Sequence, residues 1–280
     1  FRVAVADKSR QVRRIAALVV FLPSMSFWTS AIGKDSIAFL ATGLALWAAL
    51  RISERAWLMM ASILIMFLVR PHVAATIIVA ISASLIARPN YSLPHRVLLL
   101  GAVVASASVI LPVAVDYAGL SEDGGMEGVA EYIELRQSYN LAGGGAVDIS
   151  TLSLPVKMFT YVYRPLPYEA HSITALAASL DNVALLIITI LAMRQILSGR
   201  SFRGSADRVF MWSYIFLAWI MFAMTTSNLG IAVRQKWMFV PMLLFVFFTL
   251  LDKRRTRIEI RHADSRDKPS NVAEKVYRRS

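Results

Sequence analysis

Cysteine is absent from all 280 residues of this chain. That excludes a disulfide framework and any thiolate metal site, and it leaves the redox compartment open. Also missing are a P-loop and the glycine pattern of a dinucleotide-binding fold, which argues against chemistry on a soluble activated donor. Acid is scarce too: 18 Asp and Glu stand against 30 Lys and Arg, a formal net charge of +12. Nothing in these residues implies a metal or another cofactor.

What the chain has in abundance is apolar sequence. Hydrophobic residues make up 57% and the mean hydropathy is +0.56, and this bulk is gathered into long runs bounded by charge. Such runs read as membrane-spanning helices. They fall at roughly 14–30, 36–50, 56–69, 73–87, 97–117, 173–193, 209–228 and 237–251. The predicted fold is therefore all-α, a polytopic transmembrane helical bundle of about eight spans. Its membrane domain covers 1–251, with one long outer-face loop at about 118–172 between spans five and six. A basic cytoplasmic tail, 252–280, is expected to be disordered.

Charge tests this division. Numbering the gaps alternately puts 23 of the 30 cations on one face. They lie in the N-terminal segment up to Arg14, the turns holding Arg51, Arg55, Arg88 and Arg96, the segment Arg194 to Arg208, and the tail from Lys253 to Arg279. The other seven are Lys34, Arg70, Arg136, Lys157, Arg164, Arg234 and Lys236. Cationic loops resist translocation, so the richer face is expected inside, with both termini of this chain cytoplasmic. The positive balance then signals topology and attraction to anionic membrane lipids, with no call for nucleic acid. The chain opens on Phe1 followed by polar and basic residues, unlike a signal peptide, and further sequence is expected upstream.

Long loops in compact folds tend to be functional or disordered. Within this one, 126–140 spaces Met126, Val129, Ala130 and Ile133 as a surface-lying helix would, with Glu127, Glu131 and Glu134 away from that face. Gly143, Gly144 and Gly145 follow and read as a flexible break. Residues 155–171 then combine Phe159, Tyr161, Tyr163 and Tyr168 with Lys157, Arg164, Glu169 and His171. That mixture suits a membrane interface or a sugar–phosphate ligand equally.

The other outer-face charges are few. Lys34 and Asp35 sit in a tight turn, where Asp35 or Ser36 could simply cap the next helix. Arg70, Pro71 and His72 join two spans shorter than the ~20 residues a bilayer needs, so either the hairpin is re-entrant or the bilayer thins around it. Arg234 and Lys236 form the last cluster. Asp181 lies about two turns into an apolar run, where insertion costs roughly 2.5–3.5 kcal/mol, and so requires a partner or a wet cavity.

Arginine matches phosphate because its planar guanidinium donates two parallel hydrogen bonds and stays charged at low dielectric. Arg70, His72, Arg164, Arg234 and Lys236 are accordingly the candidate phosphate-binding residues. Glu169, His171, Asp181 and Asp35 are the candidate catalytic groups. The inferred ligand is a lipid-linked phosphate or pyrophosphate that enters sideways from the outer leaflet.

The segments at 22–44 (LPSMSFWTSAIGKDSIAFLATGL), 67–74 (FLVRPHVA), 143–155, 158–182 and 227–247 resemble bacterial integral-membrane proteins of polysaccharide biosynthesis. These are the O-antigen-polymerase-like and glycosyltransferase-C-like proteins. The resemblance implies transfer or polymerisation of undecaprenyl-linked glycan at the periplasmic face of the inner membrane, alongside other polysaccharide-assembly proteins. Glycosyltransferase-C enzymes carry acidic residues in their first outer loop, and here only Asp35 stands in that position. Two other classes stay open: a transporter or flippase of the same lipid, which would need no base, and a noncatalytic membrane subunit.

Overall fold

A computed structural model describes residues 5–6, 8–87, 94, 97, 133–135, 137–138, 145–149, 151–199 and 207–252. Among them the chain is almost wholly helical, with one isolated bridge between Ala146 and Asn228 and no strand. The expected span at 97–117, all but a few residues of the expected helix at 126–140, Gly143, Gly144 and the tail beyond 252 lie outside the described residues.

Ten α-helices have their bounds among the described residues: α1 (Arg10–Val20), α2 (Pro23–Ser30), α3 (Lys34–Ala49), α4 (Ala56–Val69), α5 (Pro71–Ile86), α6 (Leu154–Tyr163), α7 (Ile173–Leu197), α8 (Arg208–Thr225), α9 (Leu229–Gln235) and α10 (Val240–Leu251). Among the described residues only α7, with 25 residues, and α8, with 18, are long and apolar enough to cross a membrane singly. At 1.5 Å per residue they reach about 37 and 27 Å, against a hydrocarbon core of ~30 Å. Two bent pairs bring the number of candidate spans to at most four.

The bent pairs show where apolar sequence alone misleads. The run at 14–30 is two helices, α1 and α2, set at 55° across Phe21 and Leu22. Pro23 explains the break: it cannot donate to the preceding turn, but it suits the first turn of a new helix. The last run begins earlier than its hydropathy suggests, at α9, and bends by 63° before α10. Pro241 lies in the first turn of α10.

Helix ends are capped by short polar side chains, as orphan backbone donors require. Ser9 serves α1, Ser172 serves α7, Asp207 serves α8 and Asn228 serves α9. Gly199, with φ of 80°, closes α7 in the left-handed region that a side chain would strain.

Three contacts set α3 and α4 antiparallel: Arg55 donates to the Trp47 carbonyl, Ser62 to the Ala41 carbonyl at 2.7 Å, and Arg70 to Asp35. Ala38, Ala41, Ala45, Ala48 and Ala49 are buried on α3. Small side chains allow the close backbone approach that membrane helices rely on. A second antiparallel pair, α5 with α8, is tied by Ser84 to Asp207 at one end and by the His72 ring against Phe222 at the other. At the end that holds Asp207, its N–H donates to the Ala49 carbonyl at 3.0 Å, while Ser9 N–H donates to Asp252 at 3.2 Å.

The alanine seam makes a stability prediction. Ala41→Leu should cost about 1–3 kcal/mol through overpacking, whereas Gly43→Ala on the same helix, with open space at its Cβ, should be neutral or stabilising. Unfolding temperatures in detergent decide this, and equal tolerance of both substitutions would contradict the close packing.

Candidate functional site

Arg70 is the single residue between α4 and α5, and Asp35 lies in the first turn of α3, where a carboxylate also favours the helix dipole. The guanidinium Nη2 meets Asp35 Oδ1 at 2.5 Å, with the side chains 16% and 21% exposed respectively. Arg70 Nε is buried and has no acceptor among the described residues. Above this pair Tyr161 of α6 is fully buried, and its hydroxyl also has no partner there. Its ring stacks on Phe222 at 5.8 Å and Phe239 at 6.2 Å. Burial pushes the phenol well above its usual range, with the Arg70 charge drawing it partly back and Asp35 raising it. Tyr161 is therefore a neutral donor.

A second polar cluster surrounds Asp181, inside α7. The Ser24 N–H, in the first turn of α2, donates to Asp181 Oδ2 at 2.6 Å. The break before Pro23 thus exposes a helix N-terminus, whose partial positive charge the carboxylate meets. Asn182 donates to the Pro165 carbonyl at 2.9 Å and accepts from Lys236. The Lys236 ammonium also lies 3.4 Å from the Val162 carbonyl. Asp181, Asn182 and Lys236 are all buried, and Asp181 Oδ1 and Ser24 Oγ have no partner among the described residues. The chain has therefore turned Lys236 inward, beneath the bend between α9 and α10.

Two further cations flank these clusters. Arg164 Nε and Nη2 reach Glu169 Oε1 at 2.8 and 2.5 Å, and the Leu166 N–H donates to Oε2 at 2.7 Å. Burial pushes the Glu169 carboxyl up, but the hydrogen bonds from Arg164 and Leu166 and the Arg164 charge carry it below the usual carboxylate range. The Arg234 guanidinium covers the Trp28 ring at 5.3 Å, and its Nε is buried without an acceptor among the described residues. His171 is exposed and joins none of these groups.

Helix α6 links the parts. Tyr161 stands by the Asp35–Arg70 pair, the Val162 carbonyl faces Lys236, Tyr163 hydroxyl bonds Thr189 at 2.8 Å, and Arg164 holds Glu169. Sequence reasoning read 155–171 as an aromatic stretch suited to a membrane interface or a sugar–phosphate ligand, and missed this helix. Its signals were present: Pro155 in the first turn, side chains at Val156, Phe159, Thr160 and Tyr163, and a stop at Arg164 and Pro165. Ser24 and Trp28, one turn apart on α2, left no such signal because their value comes from the break.

Gly145, expected to be flexible, instead makes a close approach. Its carbonyl accepts from Leu229 N–H at 2.8 Å, and a Cβ there would lie 3.1 Å from Asn228 Oδ1. Val147 N–H donates to the Ser227 carbonyl, so this stretch is clipped onto the α8–α9 connection.

No protein-family model matches the chain, nor does any curated protein or solved structure compared with it. Among the described residues no group of His, Asp and Glu is arranged to hold a metal ion.

The Glu169 contacts predict a pH dependence. A carboxyl lowered by folding contributes stability that is present above its unfolded value and lost as pH falls through its folded value. Wild type should therefore unfold at a higher temperature than Glu169→Gln at neutral pH. The gap should close only on acidification below the ordinary carboxylate range, and a gap widening in acid would contradict this pairing.

Proposed function

We propose that this protein transfers or polymerises glycan from a polyprenyl-diphosphate-linked donor at the outer face of the bacterial inner membrane. In this reading the chain makes about eight passes with both termini cytoplasmic. The polar contacts support that arrangement. Asp207 joins Ala49 and Ser84, and Ser9 is bonded to Asp252; all five belong to the segments expected inside. Asp35, Arg70, His72 and Tyr161 gather at the other end of α5, on segments expected outside.

One observation carries the reading: Arg70 and Arg234 each keep a buried Nε–H donor with no acceptor among the described residues. A buried donor from a cation is costly to leave unmade, and a phosphate oxygen is the chemically matched acceptor. In the reaction, an acceptor hydroxyl attacks the anomeric carbon while the bond from that carbon to the diphosphate oxygen breaks. The arginines stabilise the charge growing on the departing diphosphate. The acceptor proton passes to a carboxylate. Glu169 is poorly suited, being held by Arg164 and Leu166 and lowered in affinity for a proton. Asp35 is likewise held, by Arg70, so Asp181, whose Oδ1 has no partner among the described residues, is better placed.

A transporter of the same lipid is the second reading. The two broken helix pairs meeting at a buried polar cluster support it, since carriers build midplane sites from such breaks.

The test uses the complete protein in nanodiscs with a lipid-linked oligosaccharide, assaying chain elongation and lipid translocation separately. Arg70→Lys and Arg234→Lys keep charge but remove the fork, and elongation should fall by roughly 10²-fold. Full elongation by both variants would exclude the clamp. Translocation by wild type without elongation would establish transport instead.

A further inference from the structure

The stack on Phe222 and Phe239 would be served equally well by phenylalanine at position 161. The Tyr161 hydroxyl is therefore the part that packing does not explain. It sits on a side chain 2% exposed, on a ring packed against two others, and it meets no acceptor among the described residues. Buried Tyr hydroxyls ordinarily find a partner. Arg70, whose charge acts on this phenol and which lies two residues before His72 on the same Phe222 ring, holds at Nε a second buried donor in the same condition. One Arg70 terminal nitrogen is already held by Asp35, which fixes the guanidinium while leaving its Nε edge unused.

We infer that the Tyr161 hydroxyl and the Arg70 Nε–H form a two-donor site for a phosphate oxygen of the lipid-linked donor, with Asp35 as the positioning residue that holds Arg70. This rests on the proposed donor class, and it adds a neutral hydrogen-bond donor where the sequence offered only cations. Burial and the adjacent Asp35 both keep the phenol protonated, so it donates at any physiological pH. The pairing has a chemical logic. A cation alone binds any anion, whereas a fixed hydroxyl beside a guanidinium edge selects an oxyanion by direction.

Purified full-length protein in detergent is titrated with geranyl diphosphate and with inorganic pyrophosphate, following the unfolding temperature. Wild type should be stabilised by geranyl diphosphate. Tyr161→Phe should unfold at the same or a higher temperature than wild type without ligand, yet bind about 10- to 100-fold more weakly, the effect of one hydrogen bond to a charged group. Tyr163→Phe is the control, because that hydroxyl has a partner in Thr189; it should lower stability and leave binding unchanged. Asp35→Asn should weaken binding less than Arg70→Gln does. Equal binding of pyrophosphate would assign the site to the phosphate moiety rather than to the lipid. Unchanged binding by Tyr161→Phe, or destabilisation matching that of Tyr163→Phe, would overturn the inference. No binding of either ligand by wild type would overturn it too. Tyr161-dependent binding in a protein that elongates no glycan would leave this site standing and remove the transferase reading.

Discussion

The ion pair between Asp35 and Arg70 is the contact on which the arrangement of the candidate site depends. It closes the α3–α4 hairpin at the end away from the Trp47–Arg55 contact, and it does so at a point where α4 has already stopped. Arg70 is both the last cap of α4 and the residue before α5. Its position therefore sets the stagger of α5, and through the His72 contact with Phe222 it bears on α8 and the aromatic stack around Tyr161. A partly buried pair of this kind stabilises little in net terms, since desolvation offsets attraction, but losing one partner strands the other. Its value lies in fixing where a guanidinium edge points.

The second constraint is the need to satisfy polar backbone at helix breaks inside an apolar bundle. The break before Pro23 leaves the Ser24 N–H free, and Asp181 supplies the acceptor. Asp181 in turn lies in the field of Lys236, which Asn182 holds from the neighbouring position on the same helix. A carboxylate and an ammonium that would each be costly alone in a membrane are thus tied to two bends. The bends and the buried charges explain one another.

Much of this was legible in the chain. Helix α4 runs over the residues that its apolar run marks, and α7 and α8 begin within a residue of their expected starts. These segments are bounded by Arg, Pro or a capping Ser or Asp, so local chemistry settles their ends. The bends were less visible, because a proline inside an apolar run changes direction without changing hydropathy. Lys236 was read with Arg234 as an outer-face cation and a candidate phosphate-binding residue. Its inward turn depends on Asn182, 54 positions away. Asp35, Arg70 and Asp181 were each singled out, yet the pairing of Asp35 with Arg70 and of Asp181 with Ser24 is a long-range fact that spacing cannot supply. Tyr161 was hidden for the opposite reason: among several aromatics, nothing marks the one whose hydroxyl lacks a partner.

The account's central claim is that the end bearing Arg70, Arg234 and Tyr161 faces away from the cytoplasm. The absence of native cysteine allows a direct measurement of it. Single cysteines at His171 and Ser198, exposed positions at opposite ends of α7, are introduced into the complete protein and treated in intact cells with a membrane-impermeant maleimide. The account predicts labelling at position 171 from outside, and at 198 only after permeabilisation. Labelling of 198 in intact cells with 171 protected would place the candidate site in the cytoplasm and contradict it.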